Sequence, residues 1–144
     1  MSNKKGFTLM EIIVALVILG ILSAISVPFY TTMIMQGSAK AAQNNLITIY
    51  NGQKNYYYDH DAHCIATCNS LANINTNLSL NITDNNFNYA CAANASGFAC
   101  TATNKTLNTF TLTVNNTALV LPGGASPLNP SCTYAANPSY CPTS

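Results

Sequence analysis

A short basic leader, Met1-Ser2-Asn3-Lys4-Lys5-Gly6, runs directly into the apolar stretch opened by Phe7-Thr8-Leu9-Met10-Glu11. No other feature constrains the fold as much. Beyond Glu11 the stretch stays apolar to Val27, interrupted by Gly20, Ser23 and Ser26. That is the length and composition of a bilayer-spanning helix. Glu11 is the anomaly, because an acid at the centre of such a helix costs about 2.5–3.5 kcal/mol on insertion. Near the end of the run its cost is lower, but the carboxylate still requires a partner. Lys4 and Lys5 alone are what any positive-inside flank shows. Ala24 and Ser26 also fit an ordinary secretory signal cut after Ser26. Neither reading explains an acid so close to the basic end, or a glycine immediately before Phe7.

The order Lys-Gly-Phe-Thr-Leu-x-Glu followed by an apolar helix resembles the class III signal of type IV pilins and the related pseudopilins. The resemblance is close over roughly the first thirty residues. It implies a leader of residues 1–6 that a prepilin peptidase and N-methyltransferase removes after Gly6, methylating the new terminus at Phe7. It further implies that Glu11 is the assembly acid, paired with the terminal amine of a neighbouring subunit. Cleavage would leave an amine largely protonated at neutral pH, and methylation keeps that charge. A buried ion pair of this kind supplies register more than net stability, since a wrong stagger leaves both charges unpaired. The resemblance also implies residues 7–30 as the membrane and filament-core helix and residues 31–144 as an external globular domain. The expected partners are other pilin subunits, an inner-membrane assembly platform and, before assembly, membrane lipid. The expected location is a single-pass inner membrane precursor and then an extracellular filament.

Composition bounds the function. Charged residues make up 6% of the chain, against about a quarter in a usual soluble protein. Asn, Thr and Ser form the polar surface instead, which suits subunits packed without mutual repulsion. There is no arginine, and beyond the leader only Lys40, Lys54 and Lys105 are basic. Affinity for DNA comes mostly from neutralised phosphates, so no direct nucleic-acid binding is expected. Six cysteines in an exported chain imply disulfides. They fall as three close pairs: Cys64 with Cys68, Cys91 with Cys100, and Cys132 with Cys141. Many connectivities are open. Neighbour pairing is favoured because the second and third pairs each bracket a turn-like stretch.

From Phe7 to about Tyr58 the pattern is one helix in two parts. The first is apolar all round. Pro28 removes a backbone donor there, predicting a kink or loosened stretch near Ala24–Pro28. The resemblance associates that proline with local melting in assembled fibres. The second part is amphipathic. Ala39, Ala42, Leu46, Ile49 and Gln53 form a stripe widened by Ile47, Tyr50 and Tyr57, while Gln36, Lys40, Gln43, Asn44 and Asn51 take other faces. At 1.5 Å per residue the whole helix spans roughly 75 Å, more than one bilayer needs. A polar connector to about Asn85 follows. Strand-like runs then occupy Phe87–Ala92, Phe98–Thr103, Thr109–Val114 and Ala118–Leu121, with Asn115-Asn116 as a tight turn into the last. A long helix on a small antiparallel sheet is an α+β fold. It is similar to the pilin fold, including a C-terminal disulfide loop.

Two clusters invite chemistry. Asp59-His60-Asp61-Ala62-His63-Cys64 with Cys68 falls within zinc-ligand spacing. In an exported chain those thiols oxidise instead, so no metal and no cofactor is expected. Tyr56-Tyr57-Tyr58, with Tyr50 before them, are core aromatics with polar tips rather than a conduction path. Five Asn-x-Ser/Thr tripeptides, at Asn77, Asn81, Asn94, Asn104 and Asn115, are what an Asn- and Thr-rich chain contains by chance. No phosphate loop, nucleophile elbow or acid pair is present, so a structural subunit is expected rather than an enzyme. The rivals are a pseudopilin of a type II secretion system and a minor adhesive tip subunit. Major pseudopilins of that system carry an acid-rich calcium loop near the C-terminus, whereas residues 105–144 here hold no Asp or Glu. An adhesive module would need a distinct pocket.

Overall fold

A computed structural model describes residues 6–95, 97–117, 119 and 129–142. Helix α1 is Leu9–His60, 52 residues, and the chain divides into two compact units within it, one ending at Ile34 and the other beginning at Met35.

In the first unit the described side chains are almost all exposed. The helix continues through Pro28 without a break, so no loosened stretch is seen over Ala24–Pro28. One missing donor removes a single rung, and the turns on either side hold. The few hydroxyls of this segment bond back to the helix itself: Ser23 to the Leu19 carbonyl at 2.7 Å, Ser26 to Leu22 at 2.8 Å, and Thr31 and Thr32 to Pro28 at 2.9 and 3.1 Å. An apolar surround offers them no other acceptor. By length and composition this helix is able to cross a membrane.

In the second unit α1 buries Ala39, Ala42, Gln43, Leu46, Ile49, Gly52 and Gln53, a single face at three- and four-residue steps. Two expectations change. Gln43 lies on the buried face, and Tyr57 is exposed. Gly52 is on that face because Leu78 and Leu80 press against it: a Cβ there would stand 3.2 Å from side-chain carbons of both.

The connector is not structureless. Helix α2, Leu71–Asn77, is capped by Ser70, whose hydroxyl accepts from Asn73 N, and it buries Ile74. With Ile74 fully buried and Leu71 partly so in only seven residues, it leaves no periodic signal to read.

The sheet is an antiparallel meander in the order β1-β2-β3-β4, comprising β1 Phe87–Asn94, β2 Gly97–Asn104, β3 Thr111–Asn115 and β4 Ser131–Thr133. Its inner face carries Phe87, Tyr89 and Cys91 from β1, Phe98, Cys100 and Ala102 from β2, and Leu112 and Val114 from β3. These residues and the buried face of α1 form one apolar cluster, in which Tyr50 meets Phe98 at a centroid distance of 6.0 Å.

The fourth strand differs from expectation. Ala118, Val120 and Leu121 lie outside the described residues, and β3 pairs with Ser131–Thr133 instead. The run into which Asn115-Asn116 is expected to turn thus falls outside the described residues, Leu119 excepted. The Asn129 amide instead accepts from Asn115 N at 3.0 Å and donates to Asn115 O and Thr117 O, each at 3.1 Å. A side chain thus substitutes for a strand partner, which no strand pattern announces. β3 also begins two residues later than the alternation suggested, because Phe110 N closes a turn on Leu107 O at 2.7 Å.

Disulfides join Cys64 to Cys68, Cys91 to Cys100 and Cys132 to Cys141. The second links directly opposed residues of β1 and β2.

A polar knot ties α1 to β1. Tyr89 Oη donates to Asp84 Oδ2 at 2.6 Å and accepts from Asn45 Nδ2 at 3.0 Å, while Asp84 Oδ1 accepts from Asn86 N and Phe87 N. Burial, reinforced by the Asp84 hydrogen bond and charge, holds the Tyr89 phenol above its ordinary range, against a smaller opposing pull from Asn45. The folded chain therefore keeps this proton at a pH where the unfolded chain releases it. That contribution to stability is complete below the unfolded value of about 10 and is lost as pH rises above it. Melting temperatures of the full chain between pH 8 and 11 are expected to fall more steeply at the alkaline end than those of Tyr89→Phe. Parallel curves would remove Tyr89 as the cause.

Candidate functional site

The amino-terminal end of α1 is built around a reciprocal cap. Glu11 Oε2 accepts from Thr8 N at 2.8 Å and from Thr8 Oγ1 at 2.9 Å, and Thr8 Oγ1 accepts from Glu11 N at 3.3 Å. This is the capping box, in which a Thr and a Glu three residues on satisfy donors that a helix start leaves open. The carboxylate also sits where the helix dipole favours negative charge. The pattern Thr-x-x-Glu was legible in the sequence, but reading Glu11 only as a charge passed over it. Among the described residues only Thr8 engages the carboxylate, which leaves Oε1 open to a further donor.

The surroundings are apolar and uncovered. Phe7 is 83% exposed, and Leu9, Met10, Leu16, Leu19, Leu22, Phe29 and Met33 are exposed as well. Nothing stands within 4 Å of a Cβ built on Gly6 or Gly20. Soluble chains rarely expose so large a contiguous apolar surface without a membrane or a partner to cover it. The structure brings Gly6, Phe7 and Glu11 together at one helix end. Pro28 lies several turns along the same helix, all six cysteines belong to the second unit, and Lys4 and Lys5 are outside the described residues.

The zinc-like cluster takes another form. Cys64 and Cys68 are bonded to each other, and no group able to hold a metal occurs among the described residues. His60 stacks on Tyr56 at 4.0 Å, and His63 is packed between Tyr57 and Phe98 at 4.7 and 4.8 Å. Gln53 holds the Cys64 backbone from both sides, donating to its carbonyl at 2.6 Å and accepting from its N–H at 2.9 Å. Of the Asn-x-Ser/Thr asparagines, Asn104 is buried, with its oxygen accepting from Thr106 N and Leu107 N, while Asn81 is exposed.

Residues 1–27 match the family described as the prokaryotic N-terminal methylation motif. The chain is similar to the type IV major pilin protein PilA of Myxococcus xanthus, with 32% identity over 59 residues. That alignment covers 41% of this chain and 27% of the relative, so it spans about a quarter of the relative's length. No solved structure matches the chain. Residues 1–27 therefore carry the prokaryotic N-terminal methylation motif, and with the reciprocal cap, the uncovered apolar helix and the α+β layout the chain is similar to type IV pilins.

Proposed function

We propose that the chain is a structural subunit that polymerises through the amino-terminal half of α1 into a type IV pilus or related filament. The observation that carries this reading is the uncovered apolar helix surface of the first unit, with one carboxylate at its start. Such a surface is satisfied by lipid in the precursor and by copies of the same helix in a fibre. Residues 1–6 act as the leader, residues 7–30 as the membrane and core segment, and residues 31–144 as the outward domain. A prepilin peptidase cuts after Gly6 and the Phe7 amine is methylated. The Oε1 oxygen of Glu11 is then available to that amine on a neighbouring subunit while Oε2 stays in the cap. Pro28 is the position at which the helix loosens on assembly. The subunit enters from the inner membrane through an assembly platform and ends in an extracellular filament. Its role is structural rather than catalytic.

Intact-mass analysis of protein from sheared surface filaments tests this. The expected mass is that of a chain starting at Phe7, with one N-methyl group and three disulfides. A start near Val27 would restore the secretory-signal reading, and absence of the chain from filaments would remove the subunit role.

A further inference from the structure

The last three to four turns of α1, from Thr48 to His60, and the end of α2 with the residues after it line a polar groove with a volume of about 470 Å³, within the range of about 300–1,000 Å³ usual for small-ligand sites. Gly52, Leu78 and Leu80 supply its apolar lining, the two leucines packing where a side chain at Gly52 would stand. Its polar lining includes Asn51, Asn55, Asp59 and Ser79. All four are exposed, and among the described residues none of their side chains makes a hydrogen bond. The stacked Tyr56–His60 pair lies along the same groove, with Tyr56 half-buried.

We infer that this groove is a binding site for a neutral sugar, of the size of one or two residues of a glycan. A pyranose has a rim of hydroxyls that both donate and accept, and a C–H face that is nearly apolar. Two side-chain amides, a hydroxyl and a carboxylate match such a rim, because amides offer both donors and acceptors. The ring pair and the leucines match the C–H face. Charge excludes the alternatives. Asp59 and the negative end of the α1 dipole both disfavour an anion such as a phosphate or a sialylated or uronic sugar. A single carboxylate among amides is too poor a donor set for a metal ion. The polar walls do not suit a lipid tail. The site lies wholly in the second unit and does not depend on the filament reading.

The test uses the full chain, disulfides intact, in micelles of lauryldimethylamine oxide, a detergent without a sugar head group. Saturation-transfer NMR is run with methyl β-glucopyranoside, methyl β-galactopyranoside and N-acetylglucosamine as neutral probes, and with glucuronate as the anionic one. Transfer to at least one neutral probe is expected, with little to glucuronate. The double variant Asn51→Ala, Asn55→Ala should weaken binding tenfold or more. Both positions are exposed on a helix, where alanine favours folding, so loss of signal reports the groove. Asn44→Ala, exposed on the same helix outside the groove, should change nothing. Transfer to none of the neutral probes overturns the inference, as does undiminished transfer in the double variant or equal transfer to glucuronate. Because the measurement is made on unassembled protein, its failure leaves the filament proposal standing.

Discussion

Replacing Glu11 with valine is expected to reduce the yield of sheared filament about a hundredfold or more, with insertion and cleavage intact. The substitution makes the helix more apolar, so insertion is unaffected or improved. In the proposed fibre the Phe7 amine of the neighbour would then enter the helix core unpaired. Removing one partner of a buried pair costs about 3–5 kcal/mol, and each 1.4 kcal/mol is about tenfold in association. The capping box complicates the valine variant, since valine removes the cap as well as the charge. Two further variants separate the roles. Glu11→Gln keeps an oxygen for Thr8 N but cannot neutralise an ammonium, and it should assemble poorly. Thr8→Val removes the hydroxyl of the box and leaves the charge, and it should assemble nearly as well as the parent. The readout is the ratio of cleaved subunit to filament with no parent chain present. Normal assembly of the glutamine variant would make Glu11 a cap and nothing more.

Gln53→Leu is expected to destabilise the second unit by about 2–5 kcal/mol, although leucine is close in size and more apolar. Gln53 is fully buried, and its amide pairs both backbone groups of Cys64, a residue only 2% exposed. Leucine leaves that N–H and carbonyl without partners, and each orphaned buried group costs about 1–3 kcal/mol. The loop carrying His63 and the Cys64–Cys68 disulfide should loosen first, because Gln53 ties it to α1. Urea unfolding of the full chain in micelles measures the effect. A loss below about 1 kcal/mol would mean that water reaches Cys64 as readily as the amide does.

Much of this was legible in the sequence, for physical reasons that differ by element. The long helix declares itself through an unbroken apolar run and then a three-four stripe. β1 and β2 show through aromatics flanking a Gly-containing turn. Gln53 belonged to the stripe by spacing, and its burial follows from that. Gln43 did not, because polarity was weighed above position on the helix wheel. α2 and β4 were missed because each is too short to carry a period. The place of Asn129 in the pairing of β3 depends on a side chain fourteen residues away from Asn115, a separation no local pattern encodes. At the amino terminus the order of leader, glycine and acid marked the site, but the bond between Thr8 and Glu11 gives the acid an occupation within its own chain.

The three disulfides close rings between residues only 4, 9 and 9 positions apart. Each covalent link therefore stays local, the second joining only the adjacent strands β1 and β2, and each ring can close without reference to the others. Lengthening or replacing the chain between the rings leaves every sulfur with its own nearby mate. Variation in those intervening stretches can then accumulate over generations without the risk of mispaired bonds. A chain wired in this way keeps its covalent links while the stretches between its rings change.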